Sequence, residues 1–183
     1  MWIVLGIIIV VVFAVIMIYN NLVSLKNQAL NGWKQIDIQL KRRHDLIPNL
    51  IETVKGVMKF EQTTLTQVIE TRNKAISAQG IAEKAAQENA LSGSLRQLFA
   101  LAENYPVLKS NENASRLQEE LSSTENKISF ARQFYNDIAT QFNTAQQTFP
   151  ANMLAQTFGF KPADLFQVTD EQDRQLPKVD LSL

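Results

Sequence analysis

The first nineteen residues, Met1 to Tyr19, carry no charged side chain. As a helix this run is about 28 Å long, close to the thickness of a bilayer's hydrocarbon core. Trp2 and Tyr19 stand at its two ends, where aromatic rings with a polar edge favour the headgroup level. A domain of this size rarely hides a helix that is apolar on every face, so the run predicts a membrane span. A cleaved signal peptide requires a basic leader and small residues before the cut; neither pattern is present here, and with no cysteine there is no site for a lipid-modified N-terminus. A permanent anchor is expected. Lys26 and Lys34 follow it, with Lys41, Arg42 and Arg43 beyond, whereas no Lys or Arg precedes it. That bias places the N-terminus outside and the rest in the cytoplasm, at the cell (inner) membrane.

All 36 charged side chains lie beyond the span, 18 basic and 18 acidic. A balanced domain has no broad footprint for nucleic acid. The absence of cysteine removes disulfides, thiolate nucleophiles and thiolate metal sites together. Scarce glycine and proline, with abundant Gln, Asn, Ala, Leu, Glu and Lys, predict an all-α chain.

The helical pattern runs on past Tyr19. Leu22, Leu25, Ala29, Trp33, Ile36 and Leu40 recur at spacings of three and four, predicting one helix that leaves the bilayer and reaches about Arg43. Asn20 and Asn21 form a hinge or only mark the waterline. Asp45 then reads as an N-cap and Pro48 as a first-turn proline. A second helix follows over 46–78, with Glu61 and Arg72 at the edge of its apolar stripe. A third spans 82–104 along Leu91, Leu95, Leu98, Ala102 and Tyr105, and Gly93 inside it predicts close approach of a neighbour. The fourth, 111–149, carries the most regular stripe: Ala114, Leu117, Leu121, Thr124, Ile128, Ala131, Tyr135, Ile138, Phe142, Ala145 and Phe149. A heptad of that length describes coiled-coil-like packing at a shallow angle.

The expected architecture is therefore an anchor (1–19), an antiparallel up-down-up-down four-helix bundle (20–150; helices 20–43, 46–78, 82–104 and 111–149) and a short irregular tail (151–183). The tail gathers Met153, Leu154, Phe158, Phe160, Leu165, Phe166 and Val168 before turning polar at Asp170–Arg174; it packs on the bundle, or touches lipid or a partner. One discord remains. A second helix of about 33 residues is roughly 50 Å long, against about 36 Å for the extramembrane part of the first. A tilt at Asn20-Asn21, a break near Gly56 or a misplaced boundary must resolve it.

Candidate chemistry is sparse. A di-metal carboxylate bundle needs a Glu-x-x-His motif on two helices, and a His-Glu-x-x-His site needs two histidines; His44 is the only one. Ser92-Gly93-Ser94 lacks the lysine of a phosphate loop and the leading glycine of a nucleophile elbow. The expectation is no catalytic, cofactor-binding or metal-ligating residues and no enzyme. His44 reads as a solvated side chain. The Lys41-Arg42-Arg43-His44 run should lie at the bundle's far tip, about 33 Å beyond Tyr19 and so screened from the anchoring membrane. There it neutralises a helix end or meets a protein partner.

Leu40-Lys41-Arg42-Arg43-His44-Asp45-Leu46-Ile47-Pro48-Asn49-Leu50, with Tyr19-Asn20, Leu22-Val23, Asn27, Trp33, Ile36-Asp37, Val54-Lys55 and Tyr105-Pro106, resembles the LemA family. So do Leu117–Leu121, Thr124-Glu125-Asn126, Ala131-Arg132, Tyr135-Asn136, Phe149-Pro150, Phe158-Gly159-Phe160 and Pro177–Asp180. His44 departs from the tyrosine expected there. The resemblance implies an N-terminal membrane helix with a short external N-terminus, an antiparallel helical bundle and no established catalysis. It also implies bacterial proteins often found beside membrane metalloproteases of the HtpX kind. The functional expectation is a non-enzymatic membrane-anchored adaptor or scaffold, associated with membrane protein quality control, with a protein partner of that kind. The alternative is a homo-oligomeric structural protein that organises or curves the membrane; Gly6 and Ala14 give the span no small-xxx-small motif for self-association.

Overall fold

Helix α1 runs unbroken from Trp2 to Lys55 in the computed structural model, which describes residues 1–166. It is followed by α2 (Gln62–Ser77), α3 (Ile81–Ala102), the single turn α4 (Pro106–Lys109), α5 (Glu112–Gln147) and α6 (Ala151–Thr157). No strand occurs among the described residues. Val168 and the polar stretch Asp170–Arg174 lie outside them.

α1 has two halves of different character. Met1–Ala14 are all exposed, and it is the one described helix long and apolar enough to cross a membrane, consistent with a membrane-anchored protein. From Leu22, which is fully buried, the same helix becomes a core element. Asn20 and Asn21 are helical and exposed, so no kinked segment separates the halves.

The expected break at Asp45–Pro48 is not there. Ile36, Leu40, Ile47, Leu50 and Val54 are buried in one continuous stripe, because spacings of four and three persist through the proline with Arg43 filling the position between Leu40 and Ile47. Asp45 and Pro48 lie on the exposed face. Pro48 has no N–H to give the carbonyl of His44 four residues earlier. Arg72 replaces it, its Nε donating to His44 O at 2.8 Å. The first reversal comes instead at Gly56–Glu61, where Val57 and Met58 both turn back onto the carbonyl of Val54 and the buried Met58 side chain plugs the turn.

Moving that boundary removes the length discord. The part of α1 beyond Tyr19 is about 54 Å long and α2 only about 24 Å, so α2 no longer outruns the helix it packs on.

Contacts set the directions of the helices pair by pair. α5 passes α1 in the opposite sense, Trp33 against Tyr135 (ring centroids 5.6 Å apart) and Arg43 against Glu125. α3 follows α1 in the same sense, through Lys84 Nζ to Asp37 Oδ1 at 2.6 Å and Arg43 to Glu88. The α2–α3 turn uses Gly80 at φ 76°, a left-handed conformation that side chains other than glycine's resist. Asn111 caps α5, accepting from the Ala114 amide at 3.1 Å.

The core divides in two. A membrane-distal cluster gathers Ile47, Leu50, Val54, Met58, Val68, Leu91, Leu98 and Leu121. A membrane-proximal cluster gathers Ala29, Ile36, Leu40, Ala85, Ile128, Tyr135 and Phe166. Close approach of helix backbones occurs at Gly32, where an added Cβ would stand 3.4 Å from the Tyr135 Cα and from the Phe134 ring. Gly93, expected to serve that purpose, faces open space on the exposed side of α3.

The described part of the tail, 151–166, is not wholly irregular: it opens with α6. α6 packs on α1 and α5, and Phe166 is buried in the proximal core. Two asparagines seven residues apart on α5 hold the backbone in between. Asn143 exchanges both hydrogen bonds with Ala163 (2.8 and 2.9 Å), and Asn136 does the same with Phe166 (2.8 and 3.0 Å). Tyr135 OH adds a bond to the Asp164 carbonyl at 2.7 Å.

Candidate functional site

Between the two apolar clusters lies a polar layer built by three helices. α1 contributes Arg43 and His44, α3 contributes Glu88 and Ser92, and α5 contributes Thr124, Glu125 and Arg132. Arg43 occupies a seam position of α1, so its side chain is driven inward and is fully buried. A buried guanidinium must find acceptors. Its Nη1 donates to Ser92 Oγ at 2.8 Å and to the Glu125 carboxylate, and its Nη2 to the Glu88 carboxylate. Ser92 Oγ in turn donates to Glu125 Oε1 at 2.9 Å.

Glu88 is fully buried and carries a second partner, with His44 Nε2 2.9 Å from its Oε1. Burial by itself raises a carboxyl's pKa, but the hydrogen bond from His44 and the charge and bonds of Arg43 outweigh it and hold Glu88 below the usual carboxylate range. Arg132, next on α5, lies over the Phe166 ring with its guanidinium carbon 4.3 Å from the centroid, and Nη1 donates to Asn89 Oδ1 at 3.1 Å. Its Nε and Nη2 find no partner among the described residues. Burial, with the nearby Arg43 charge, lowers its pKa to about 10 against the pull of Glu125 and Glu88.

The expected exposed basic tip is therefore half wrong. Lys41 and Arg42 are solvent-facing, but Arg43 and His44 are buried in the middle of the helical unit, since α1 continues for twelve residues past Arg43. Glu61 and Arg72 do not meet; Glu61 Oε1 accepts from Tyr105 OH at 3.1 Å, and Arg72 serves the His44 carbonyl. Ser92 and Ser94 are buried, Ser94 Oγ lying 2.9 Å from Thr71 Oγ1 across the α2–α3 pair.

The geometry is that of a clamp. Ser92 donates to a carboxylate and accepts from a guanidinium, so its lone pairs face a cation, the reverse of an activated nucleophile. Among the described residues no group of three or more His, Cys, Asp or Glu could hold a metal ion. A shallow cleft of about 340 Å³ beside Arg43, Ser92, Glu125 and Asn126 leaves Glu125 partly wet. Breaking such a pair is costly while its net contribution to stability is small. It ties one turn each of α1, α3 and α5 together.

Residues 32–181 match the sequence model of the LemA family, a stretch that takes in this layer and the asparagine-held tail. The chain belongs to the LemA family. Among relatives, it is 28% identical over 166 residues to Protein LemA of Metamycoplasma hominis, covering 88% of this chain and 72% of that protein. It is also 23% identical over 178 residues to Magnetosome protein MamQ 2 of Paramagnetospirillum magneticum. Magnetosome protein MamQ of Magnetospirillum gryphiswaldense is 22% identical over 177 residues. The chain spans 65% of the length of each of these two MamQ proteins. For this LemA-family chain, the signal that would have found Arg43 was present: the heptad 22, 29, 36, 43, 50 crosses the supposed break without a change of phase. The asparagine pairs had no comparable signal, since Asn136 and Asn143 bond to backbone groups 30 and 20 residues away in sequence.

Proposed function

We propose that this LemA-family protein is a single-pass inner-membrane adaptor, with its N-terminus outside and an antiparallel four-helix bundle in the cytoplasm, and with no chemistry of its own. The observation that carries the reading is the continuity of α1, exposed on all faces over its first fourteen residues and core from Leu22 onward. One rigid rod thus joins the lipid to the packed domain. The polar layer supports it, because the Arg43 guanidinium, the Ser92 hydroxyl and the Glu88 and Glu125 carboxylates are engaged with one another. A partner has a place to bind: Leu30 and Ile38 on α1 and Phe130 and Phe134 on α5 are exposed, and a shallow groove opens between Ile38, Phe130 and Phe134. The MamQ relatives are named as magnetosome proteins, and a sequence pattern shared by differently named proteins suits an adaptor. A membrane metalloprotease of the HtpX kind is the partner to seek first, in membrane protein quality control.

Affinity capture of the detergent-solubilised full chain tests this. The expected result is a specific membrane protein that is lost from a Phe130→Asp, Phe134→Asp variant of unchanged helicity. Capture of nothing but further copies of the chain overturns it. A second reading, a self-assembling organiser of the membrane, rests on the same exposed aromatic face; a monomer by light scattering in detergent counts against it. Protease protection of a C-terminal tag in intact cells decides the orientation.

A further inference from the structure

We infer that the membrane-proximal end of the domain lies in the headgroup layer of the bilayer that α1 crosses, through an aromatic collar formed by Phe149, Met153 and Phe158. The inference rests on α1 spanning the membrane. Tyr19 closes the apolar run, just before Asn20 and Asn21, and so marks the depth of the interface. Phe158 is fastened to it, ring centroids 4.9 Å apart, and Phe160 stands 5.9 Å from the same ring. α5 arrives at this level too: Trp33 pairs with Tyr135 and Arg43 with Glu125, and the same antiparallel register carried on brings Phe149 level with Tyr19. α6, packed on α1, presents Met153 there. These three side chains are exposed by 80%, 63% and 54%, in the order Phe149, Met153, Phe158. Aromatic and thioether groups left uncovered in water are matched to an interface that is half apolar.

Charge points the same way. Among the described residues the end of the domain nearest the span, 20–30 and 138–163, carries Lys26 and Lys161 and no carboxylate. Asp137, level with residue 31 of α1 in that register, is roughly 18 Å from the level of Tyr19, and Asp37 on α1 roughly 27 Å, both beyond the reach of membrane charge at physiological salt. Lys26 Nζ lies 5.8 Å from the Phe160 ring centroid, just above the collar, where lipid phosphates would sit. Exposed apolar groups flanked by cations without anions are the chemistry of an anionic-lipid surface.

Because the chain has no cysteine, single cysteines report cleanly. Nitroxide labels at Phe149→Cys, Met153→Cys and Phe158→Cys, with Ile9→Cys and Phe130→Cys as references, are measured on the full chain in vesicles of phosphatidylcholine and phosphatidylglycerol. Oxygen enters lipid and a nickel chelate stays in water. The collar labels should show an oxygen-to-nickel accessibility ratio between the lipid-like Ile9 and aqueous Phe130 values. Collar labels as aqueous as Phe130 overturn the inference while a lipid-like Ile9 leaves the anchor standing; an aqueous Ile9 overturns both. Labels shielded from both reagents show cover by protein instead of lipid, and also overturn it. In Lys26→Gln, Lys161→Gln, or without phosphatidylglycerol, the Met153 ratio should shift toward water; no shift refutes the role of charge.

Discussion

Arg72 Nε donates at 2.8 Å to the carbonyl of His44, the acceptor that Pro48 leaves without its helical partner. The proline therefore sits inside α1 because a residue on α2 compensates for it. Arg72→Leu should destabilise the chain by about 1–3 kcal/mol, the cost of a partly buried carbonyl without its bond. In a Pro48→Ala background the restored N–H takes over that carbonyl, and the cost of Arg72→Leu should shrink to a few tenths. Thermal unfolding of the four members of this double-mutant cycle in detergent gives the coupling; additive effects would show that the two residues act independently.

This pair also explains what the sequence could and could not convey. The span, the all-helical class, the Asn111 start of α5 and its long stripe follow from periodicity and capping, which are local. Pro48 misleads for a physical reason: a proline after a candidate cap is normally a helix start, and the residue that rescues it inside a helix lies 28 positions from the carbonyl it serves. His44 reads as a solvated side chain and Arg43 as part of an exposed basic tip because their partners, Glu88 and Glu125, come from α3 and α5. Only the unbroken heptad phase through position 43 argued otherwise. Local pattern places elements; pairing across elements decides what a charged residue does.

Glu88 gives the polar layer a pH signature. Its carboxyl is held below the ordinary value of 4.5, so the unfolded chain binds that proton more tightly than the folded one. The stability this contributes is fully present above about pH 4.5 and is lost as the pH falls through the lower folded value. Glu88→Gln should cost about 3 kcal/mol at pH 7, the low end for a broken buried pair because Glu125 still faces Arg43. The gap between the wild type and the variant should narrow below about pH 4.5, read by melting temperature; a gap constant down to pH 3 would contradict the assignment. Glu125→Gln, at a partly exposed carboxylate, should cost about 1 kcal/mol or less.

Gly32 and Gly93, both inside helices of the packed domain, should respond in opposite ways. A Cβ at Gly93 meets nothing within 4 Å, so Gly93→Ala should stabilise by about 1 kcal/mol through helix propensity alone. Gly32 faces Tyr135 Cα and the Phe134 ring at 3.4 Å. Alanine fits there as ordinary contact, but Gly32→Leu should push α5 from α1 and cost about 1–3 kcal/mol. Chemical denaturation of the three variants tests the contrast, and a destabilised Gly93→Ala would mean that a surface covers α3 at that point.

The asparagine pairs make separable predictions. Asn136 Oδ1 accepts from the Phe166 amide at 2.8 Å and Asn143 Oδ1 from the Ala163 amide at 2.8 Å, while each Nδ2 donates to the same residue's carbonyl. Asn136→Ala should speed hydrogen exchange at Phe166 and leave Ala163 slow; Asn143→Ala should do the reverse. Asn136→Asp keeps the acceptor and loses the donor, so the Phe166 amide stays protected. The chain should still lose about 1–3 kcal/mol, because a carboxylate then faces a carbonyl in a partly buried site. Phe166 fills the proximal core beside Trp33 and under Arg132, so release of this segment should also lower the unfolding temperature. If both alanine variants opened the whole segment together, the tail would be held as one unit by Phe166, and the asparagines would contribute registration without independent anchoring.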